Sequence, residues 1–201
     1  MKKLLTVFLC IFVYTISHSQ IDCNLPIDVN INGGYASSYP SNFFSNKTIF
    51  LTGILTIDQT TTFNHCTFIM SGSKIYVDPD MGLYIESCKM GCGNWDGIIG
   101  QQYSHFTIQN SYFEKYTTCF DLSGSSGYLF QNNTFQSNET SKGIVANSIN
   151  GSANFALPQL PFPQLGSLFI TQNKFLNCYL GISLINCSNG IFIDDNEFNL
   201  C

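Results

Sequence analysis

Six eight-residue stretches decide how this chain folds: TTFNHCTF at 61–68, LYIESCKM at 83–90, FTIQNSYF at 106–113, YLFQNNTF at 128–135, LFITQNKF at 168–175 and IFIDDNEF at 191–198. Their starts are separated by 22, 23, 22, 40 and 23 residues. A unit that recurs at a fixed step of this size is the signature of a solenoid. Column three of the block is Phe63, Ile85, Ile108, Phe130, Ile170 and Ile193, apolar in every copy. Column eight is Phe68, Met90, Phe113, Phe135, Phe175 and Phe198, also always apolar. Column one is apolar or aromatic in five of the six copies, and columns four and five are polar throughout. Side chains alternate along a strand, so columns one and three share a face. A polar corner follows, and column eight returns to the core.

Column six reads Cys66, Cys88, Ser111, Asn133, Asn173 and Asn196. Asn133, Asn173 and Asn196 in register predict an inward amide ladder at a tight bend, with left-handed backbone at the asparagines. A second strand recurs after each block: Lys74-Ile75-Tyr76-Val77, Gly97-Ile98-Ile99, Cys119-Phe120-Asp121-Leu122, Gly143-Ile144-Val145 and Gly181-Ile182-Ser183-Leu184. Two or three short strands per turn of about 22 residues describe an all-β parallel β-helix. The Leu-x-x-Leu-x-Leu pattern of leucine-rich repeats is missing, and no stretch of the mature chain keeps helical periodicity.

The blocks, with Cys92-Gly93-Asn94-Trp95-Asp96-Gly97-Ile98, resemble right-handed parallel β-helix repeat proteins of the pectate-lyase-like group. More narrowly, they are similar to secreted and surface β-helix proteins of Bacteroidota. The resemblance covers about residues 48–201. It implies a right-handed solenoid of 22–23 residues per rung, and it leaves function open, because this fold carries lyases, hydrolases, adhesins and others alike.

Residues 1–19 read as a signal peptide: Lys2 and Lys3, an apolar run from Leu4 to Ile16, and Ser17 and Ser19 before a cut at Gln20. The run is short for a membrane span, which takes about 20 residues. No second run of that length follows, so the mature chain is expected to lack a span and to be extracellular or on the cell surface. Residues 20–47 are expected to form an irregular N-terminal cap, as solenoids require. The interval of 40 residues between Tyr128 and Leu168 exceeds a rung and points to an insertion near 148–166. An excursion fits its three prolines better than an extra rung. Its Phe155, Leu157, Leu160 and Phe162 are expected to cover part of the outward column-two stripe, which ends in Leu129, Phe169 and Phe192. The last block stops three residues before the end at Cys201. A bare rung there suggests a C-terminal continuation or a stacking partner, and a fragment of a larger protein is one reading.

The chain has eight lysines and no arginine against thirteen acidic residues, a formal charge of −5. That composition argues against nucleic acid as a partner. Eight cysteines follow the signal region, an even number that permits disulfides after export. Cys178 and Cys201 each lie three residues past a column-eight Phe, which should stack them on adjacent rungs at about 4.8 Å, within disulfide range.

Nothing in the residues assembles a catalytic set. The polygalacturonase-type pattern is represented only by Asp194-Asp195, in columns that are polar in every rung. A lyase-type arginine is absent, and His65 and His105 occupy different columns. Asp78-Pro79-Asp80 is the one Ca²⁺ candidate, although it reads more simply as a turn. No cofactor is expected. The leading reading is therefore an exported protein that binds glycan or a surface protein along its face through Tyr84, Trp95, Tyr112, Tyr116, Phe169 and Phe192. Two alternatives stay open: a carbohydrate-active enzyme (polysaccharide lyase or glycoside hydrolase) or a fragment of one, and a structural spacer.

Overall fold

A computed structural model describes residues 21–124, 127–149, 167–188 and 190–201. The first half of each block forms a strand of one seven-stranded parallel sheet, in which Thr61–Asn64, Gly82–Glu86, His105–Gln109, Gly127–Gln131, Leu168–Thr171 and Ile191–Asp194 follow in order. Phe63, Ile85, Ile108, Phe130, Ile170 and Ile193 pair in one register, so the column read from the sequence is a column in space. A second sheet has thirteen strands among the described residues. Its trunk is Thr48–Ile57 and Thr67–Val77. Past them it forks. One branch holds Lys89–Cys92, Tyr112–Glu114, Thr134–Gln136, Lys174–Leu176 and Glu197–Asn199. The other holds Gly97–Gly100, Thr118–Ser123, Lys142–Asn147 and Leu180–Ile185. Ile75, Ile98, Phe120, Ile144 and Ile182 are in register there, as the second-strand motifs implied. The only helical turn among the described residues is Ala36–Ser38, and no helix is long and apolar enough to cross a membrane.

The tight corner differs from expectation by one residue. Left-handed backbone falls in column five, at His65 (φ 52°), Ser87 (54°), Asn110 (52°), Asn132 (54°), Gln172 (58°) and Asp195 (51°), not at the column-six asparagines. Reversal at column five turns column six into the core, where its amide is needed. There the ladder is continuous. The backbone N–H of Cys66 donates to Cys88 Sγ (3.3 Å), Cys88 to Ser111 Oγ (3.1 Å) and Ser111 to Asn133 Oδ1 (3.0 Å). Asn133 N–H donates to Asn173 Oδ1 and Asn173 N–H to Asn196 Oδ1, both at 2.9 Å. In the other direction the Nδ2 groups of Asn133, Asn173 and Asn196 donate to the column-three carbonyls of Ile108 (2.8 Å), Phe130 (3.0 Å) and Ile170 (2.8 Å). The corner N–H groups and column-three carbonyls named here are thus each bonded to a neighbouring rung. The thiols of Cys66 and Cys88 occupy the same column. Hydrogen bonding from Cys88 draws the Cys66 thiol below its usual range, to about 7, and Cys88 is pushed up in return.

Column eight builds the core. The rings of Phe113, Phe135, Phe175 and Phe198 stack nearly parallel, with centroids 5.3, 4.8 and 5.0 Å apart. That spacing is set by the strand separation of about 4.8 Å, which offsets the rings enough to avoid a face-to-face sandwich. The N-terminal side carries a further rung unseen in the repeat, with Ile49 in column eight beside Phe68. Phe43–Ser45 pairs with Thr62–Asn64, Asn46 is left-handed (φ 53°), and Ile49 is buried. Val29–Ile31 and Gly34–Tyr35 then pair with Thr48–Ile57. Strand pairing therefore reaches into the stretch expected to be an irregular cap.

Tyr128 pairs directly with Leu168, Phe135 with Phe175, and Ile144 with Ile182. No extra rung lies between these paired strands, and residues 150–166 lie outside the described residues. Phe155, Leu157, Leu160 and Phe162, expected to cover the column-two stripe, lie outside the described residues, as do positions 1–19, expected to be a signal peptide.

Two disulfides are present among the described residues. Cys178–Cys201 joins the last two rungs with a Cα–Cα distance of 4.7 Å. Cys23–Cys92, at 5.6 Å, ties the N-terminal segment to the strand Lys89–Cys92. Its separation of 69 residues left no trace in the repeat. Both fit an oxidising setting. Replacing Cys178 and Cys201 together with serine is expected to lower stability by about 3 kcal/mol, from a closed loop of roughly 20 residues. Urea titration measures the loss, and amide exchange should show it concentrated in residues 177–201.

Candidate functional site

Columns four and five face outward along the polar corner, because the left-handed residue at column five directs its side chain away from the core. Their amides pair across rungs: Gln109 Nε2 donates to Gln131 Oε1 (2.9 Å), and Asn132 Nδ2 donates to Asn110 Oδ1 (2.7 Å). The result is a terrace of polar groups repeating at the rung spacing. At its C-terminal part an open groove of about 480 Å³ is lined by Asn132, Gln172, Asn173, Lys174, Asp195, Asn196 and Glu197. Lys174 Nζ and Glu197 Oε2 form a salt bridge of 3.2 Å along its wall. This exposed pair contributes little to stability and mainly orients the two side chains. The side chains of Gln172 and Asp195 make no hydrogen bond among the described residues, and both project into the groove's rim.

The aromatic residues expected to bind ligand are mostly elsewhere. Trp95 is 1% exposed, and its Nε1 donates to the Glu114 carbonyl at 2.8 Å. Tyr116 is buried with its ring edge-on to Trp95, and its hydroxyl has no hydrogen-bond partner among the described residues. Tyr112 is buried, donating from its hydroxyl to Glu114 Oε2 at 3.0 Å, and burial, with the Glu114 charge beside it, pushes its pKa up. These three leave the candidate site. Trp95 and Tyr116 sit at the bend between the two branches of the large sheet, and Tyr112 opens the adjoining strand Tyr112–Glu114. Glu114 belongs to the same cluster. Its side chain crosses Gly91, where an added Cβ would stand 2.2 Å from Glu114 Cγ and 2.9 Å from Ile21 Cδ1. Glycine at 91 is the space into which a carboxylate and the strapped N-terminal segment both fit.

Tyr84 is half-buried and outward on the seven-stranded sheet, with its hydroxyl pKa raised by burial. Phe169 is 8% exposed and Phe192 40%, their ring centroids 6.0 Å apart. Tyr84 lies three rungs from Phe169 in the shared column, so no joint aromatic platform forms. Asp78 closes a turn, its carbonyl accepting from Met81 N–H at 3.2 Å, and Asp80 is left-handed (φ 62°). Among the described residues no three His, Cys, Asp or Glu side chains are grouped to hold a metal ion. The groove itself was legible only as polarity. Columns four and five are polar in every rung of the sequence, but their spacing alone does not show that three rungs converge on Lys174.

A family model described as a right-handed β-helix region matches residues 52–201. The chain belongs to that right-handed β-helix family. The match begins within the trunk strand Thr48–Ile57 and takes in all six blocks, so the family covers the whole terrace and groove of this β-helix. No curated protein and no solved structure matches the chain.

Proposed function

We propose that this β-helix is an exported protein that binds an extended, neutral carbohydrate chain along the amide terrace, with the groove between Asn132 and Glu197 as its principal contact. The observation that carries the reading is the register of the outward amides. Gln109 and Asn110 lie beside Gln131 and Asn132, and Thr171 and Gln172 come next along the corner. Successive rungs stand about 4.8 Å apart. That is close to the rise of one pyranose ring along an extended glycan, so each ring meets a fresh set of donors and acceptors. Asparagine and glutamine offer both hydrogen-bond roles at once, which suits vicinal hydroxyls. They do not exchange protons near neutral pH, which suits binding rather than acid–base chemistry. Asp194, Asp195 and Glu197 beside the groove disfavour an anionic polymer. The basic-then-apolar start at Lys2 to Ile16 and the two disulfides support export.

Titration of the mature chain with neutral linear oligosaccharides of increasing length tests the reading. Affinity should rise with each added ring until about three rungs are spanned. The double substitution Asn132→Leu and Gln172→Leu should weaken binding by about tenfold or more, the equivalent of one or two lost hydrogen bonds. Thermal stability should fall only modestly, since both side chains lie outside the core, although Asn132 gives up its bond to Asn110 and leucine suits its left-handed backbone less well than asparagine. Affinity independent of length, or product release from the oligosaccharide, would overturn the proposal.

A further inference from the structure

The column-six ladder changes its chemistry once. Ser111, Asn133, Asn173 and Asn196 present a hydroxyl or an amide, whereas the two rungs before them present Cys66 and Cys88. Cys66 Sγ lies 3.4 Å from the carbonyl oxygens of Phe44 and Asn64. Cys88 Sγ lies 3.4 Å from that of Phe63 and 3.3 Å from that of Glu86. A thiol is a weak donor, and Ser111 Oγ reaches the Gln109 carbonyl at 2.7 Å in the same column. Hydrogen bonding alone therefore gives no reason for two successive cysteines. Strand pairing on either side of the corner, Asn64 with Glu86 and Thr67 with Lys89, holds them one rung apart. One rung is about 4.8 Å, inside the Cα range of a disulfide. Cys178 and Cys201 stand in the same relation at 4.7 Å, and they are bonded. Cys119 is the contrast: it is fully buried, and the strands beside it offer no second thiol.

We infer that Cys66 and Cys88 are a reactive dithiol, closed into a further disulfide inside the corner by exchange with a small external disulfide. Lys47 marks the route. It holds column six of the preceding rung, but its side chain is exposed, so no inward side chain covers Cys66 from that side. Opening of the Asn46–Lys47 corner uncovers the sulfur. The Cys88 hydrogen bond, joined by the Lys47 backbone and charge, draws the Cys66 thiol down to about 7, which makes it the attacking group. Cys66 Sγ bonds to one sulfur of the external disulfide, whose S–S bond breaks, and one small thiolate leaves with the electron pair. Cys88 Sγ then attacks the Cys66 sulfur of the mixed disulfide and expels the second small thiolate. The leaving thiolates take up the protons that the two cysteines give up. Two protein thiols are thus oxidised and one external disulfide is reduced. The closed bond disturbs little around it, because the Asn64 and Glu86 carbonyls keep Asn46 N–H (3.0 Å) and His65 N–H (2.9 Å) as partners. Cys92, in the same block-rung as Cys88, is already tied to Cys23. The N-terminal segment and the first two blocks then become one covalently linked unit.

The test incubates the mature chain with oxidised glutathione near neutral pH. A Cys187→Ser background is used, because Cys187 is only partly buried and would form a mixed disulfide of its own. The chain is then unfolded, its remaining thiols are blocked with a maleimide, and its proteolytic fragments are read by mass spectrometry. The expected result is a cross-linked pair of fragments holding Cys66 and Cys88, lighter by the two thiol hydrogens, with Cys119 still open to the maleimide. Serine already stands in this column at Ser111, so single serine variants should fold. Cys88→Ser should stop at a glutathione adduct on Cys66, for want of a resolving thiol. Cys66→Ser should leave Cys88 unmodified. Lys47→Glu should slow the reaction about threefold or more, by raising the Cys66 thiol toward its usual range. If Cys66 and Cys88 both stay reactive at glutathione levels that keep Cys178 and Cys201 bonded, the inference is overturned. A partner for Cys66 other than Cys88 overturns it too. So does oxidation of Cys119 at the same rate, which would mark reaction through global unfolding.

Discussion

Gly97→Ala is expected to abolish folding at ordinary temperatures, or to cost well over about 4 kcal/mol where a folded state persists. Gly97 has φ +115°, and a Cβ there would stand 1.6 Å from the Thr118 carbonyl oxygen and 2.8 Å from its carbon. Both obstacles are backbone atoms of the next rung and cannot rotate aside. Thr117 N–H donates to Trp95 O at 2.9 Å, so the two rungs cannot separate without losing the pairing that holds them. Gly34 provides the control. It has φ +100°, but nothing lies within 4 Å of an added Cβ. Gly34→Ala should therefore carry only the conformational term, about 1–2 kcal/mol. Circular dichroism under urea titration measures both. Similar losses for the two variants would show that strain in φ, not contact between rungs, dominates at Gly97.

Asn173→Leu carries the second large effect, about 4 kcal/mol. The side chain is fully buried. Its Oδ1 accepts from Asn133 N–H at 2.9 Å and from Asn133 Nδ2 at 3.0 Å. Its Nδ2 donates to Phe130 O at 3.0 Å, Thr171 O at 2.9 Å and Asn196 Oδ1 at 3.0 Å. Leucine fills the volume but leaves the Asn133 N–H without its acceptor in the core and strips the carbonyls of Phe130 and Thr171 of one bond each. Each such group costs about 1–3 kcal/mol. The same change at Asn196 should cost roughly 1 kcal/mol, because water reaches the half-exposed end of the ladder. Equilibrium unfolding of the two variants checks the ratio. A loss below about 1 kcal/mol for Asn173→Leu would mean that the stacked phenylalanines, not the amides, hold the corner.

The repeat, both sheets and the inward ladder were legible because each rests on a periodicity that a single sequence displays. Ile98 and Phe120 fall in one column from the sequence alone, since nothing but register decides their neighbours. The residues misread are those whose surroundings come from outside the period. Tyr112 and Tyr116 sit in polar-looking surroundings, but the N-terminal segment and Glu114 close over that bend. Cys23 meets Cys92 only because that segment crosses the large sheet. The rung at Phe43–Ile49 was hidden by a shorter step and by Lys47, which stands exposed where the later copies hold a thiol, a hydroxyl or an amide. The left-handed position was displaced by one because asparagine serves both as a left-handed corner residue, at Asn110 and Asn132, and as the inward ladder residue beside it. Composition does not separate those two roles, whereas hydrogen-bond direction does.

The bonds between Asn133 and Asn173 carry one further consequence. These residues are 40 apart in sequence, yet their contacts are as short as those between Asn173 and Asn196, which are 23 apart. The ladder is indifferent to the length of chain that connects its members. Loop-closure entropy agrees, since doubling a flexible connection costs only about 0.6 kcal/mol. The crossing after Asn147 is therefore a natural point of growth. A longer connection between Asn147 and Ser167 should leave the pairing of Asn133 with Asn173 and of Ile144 with Ile182 in place.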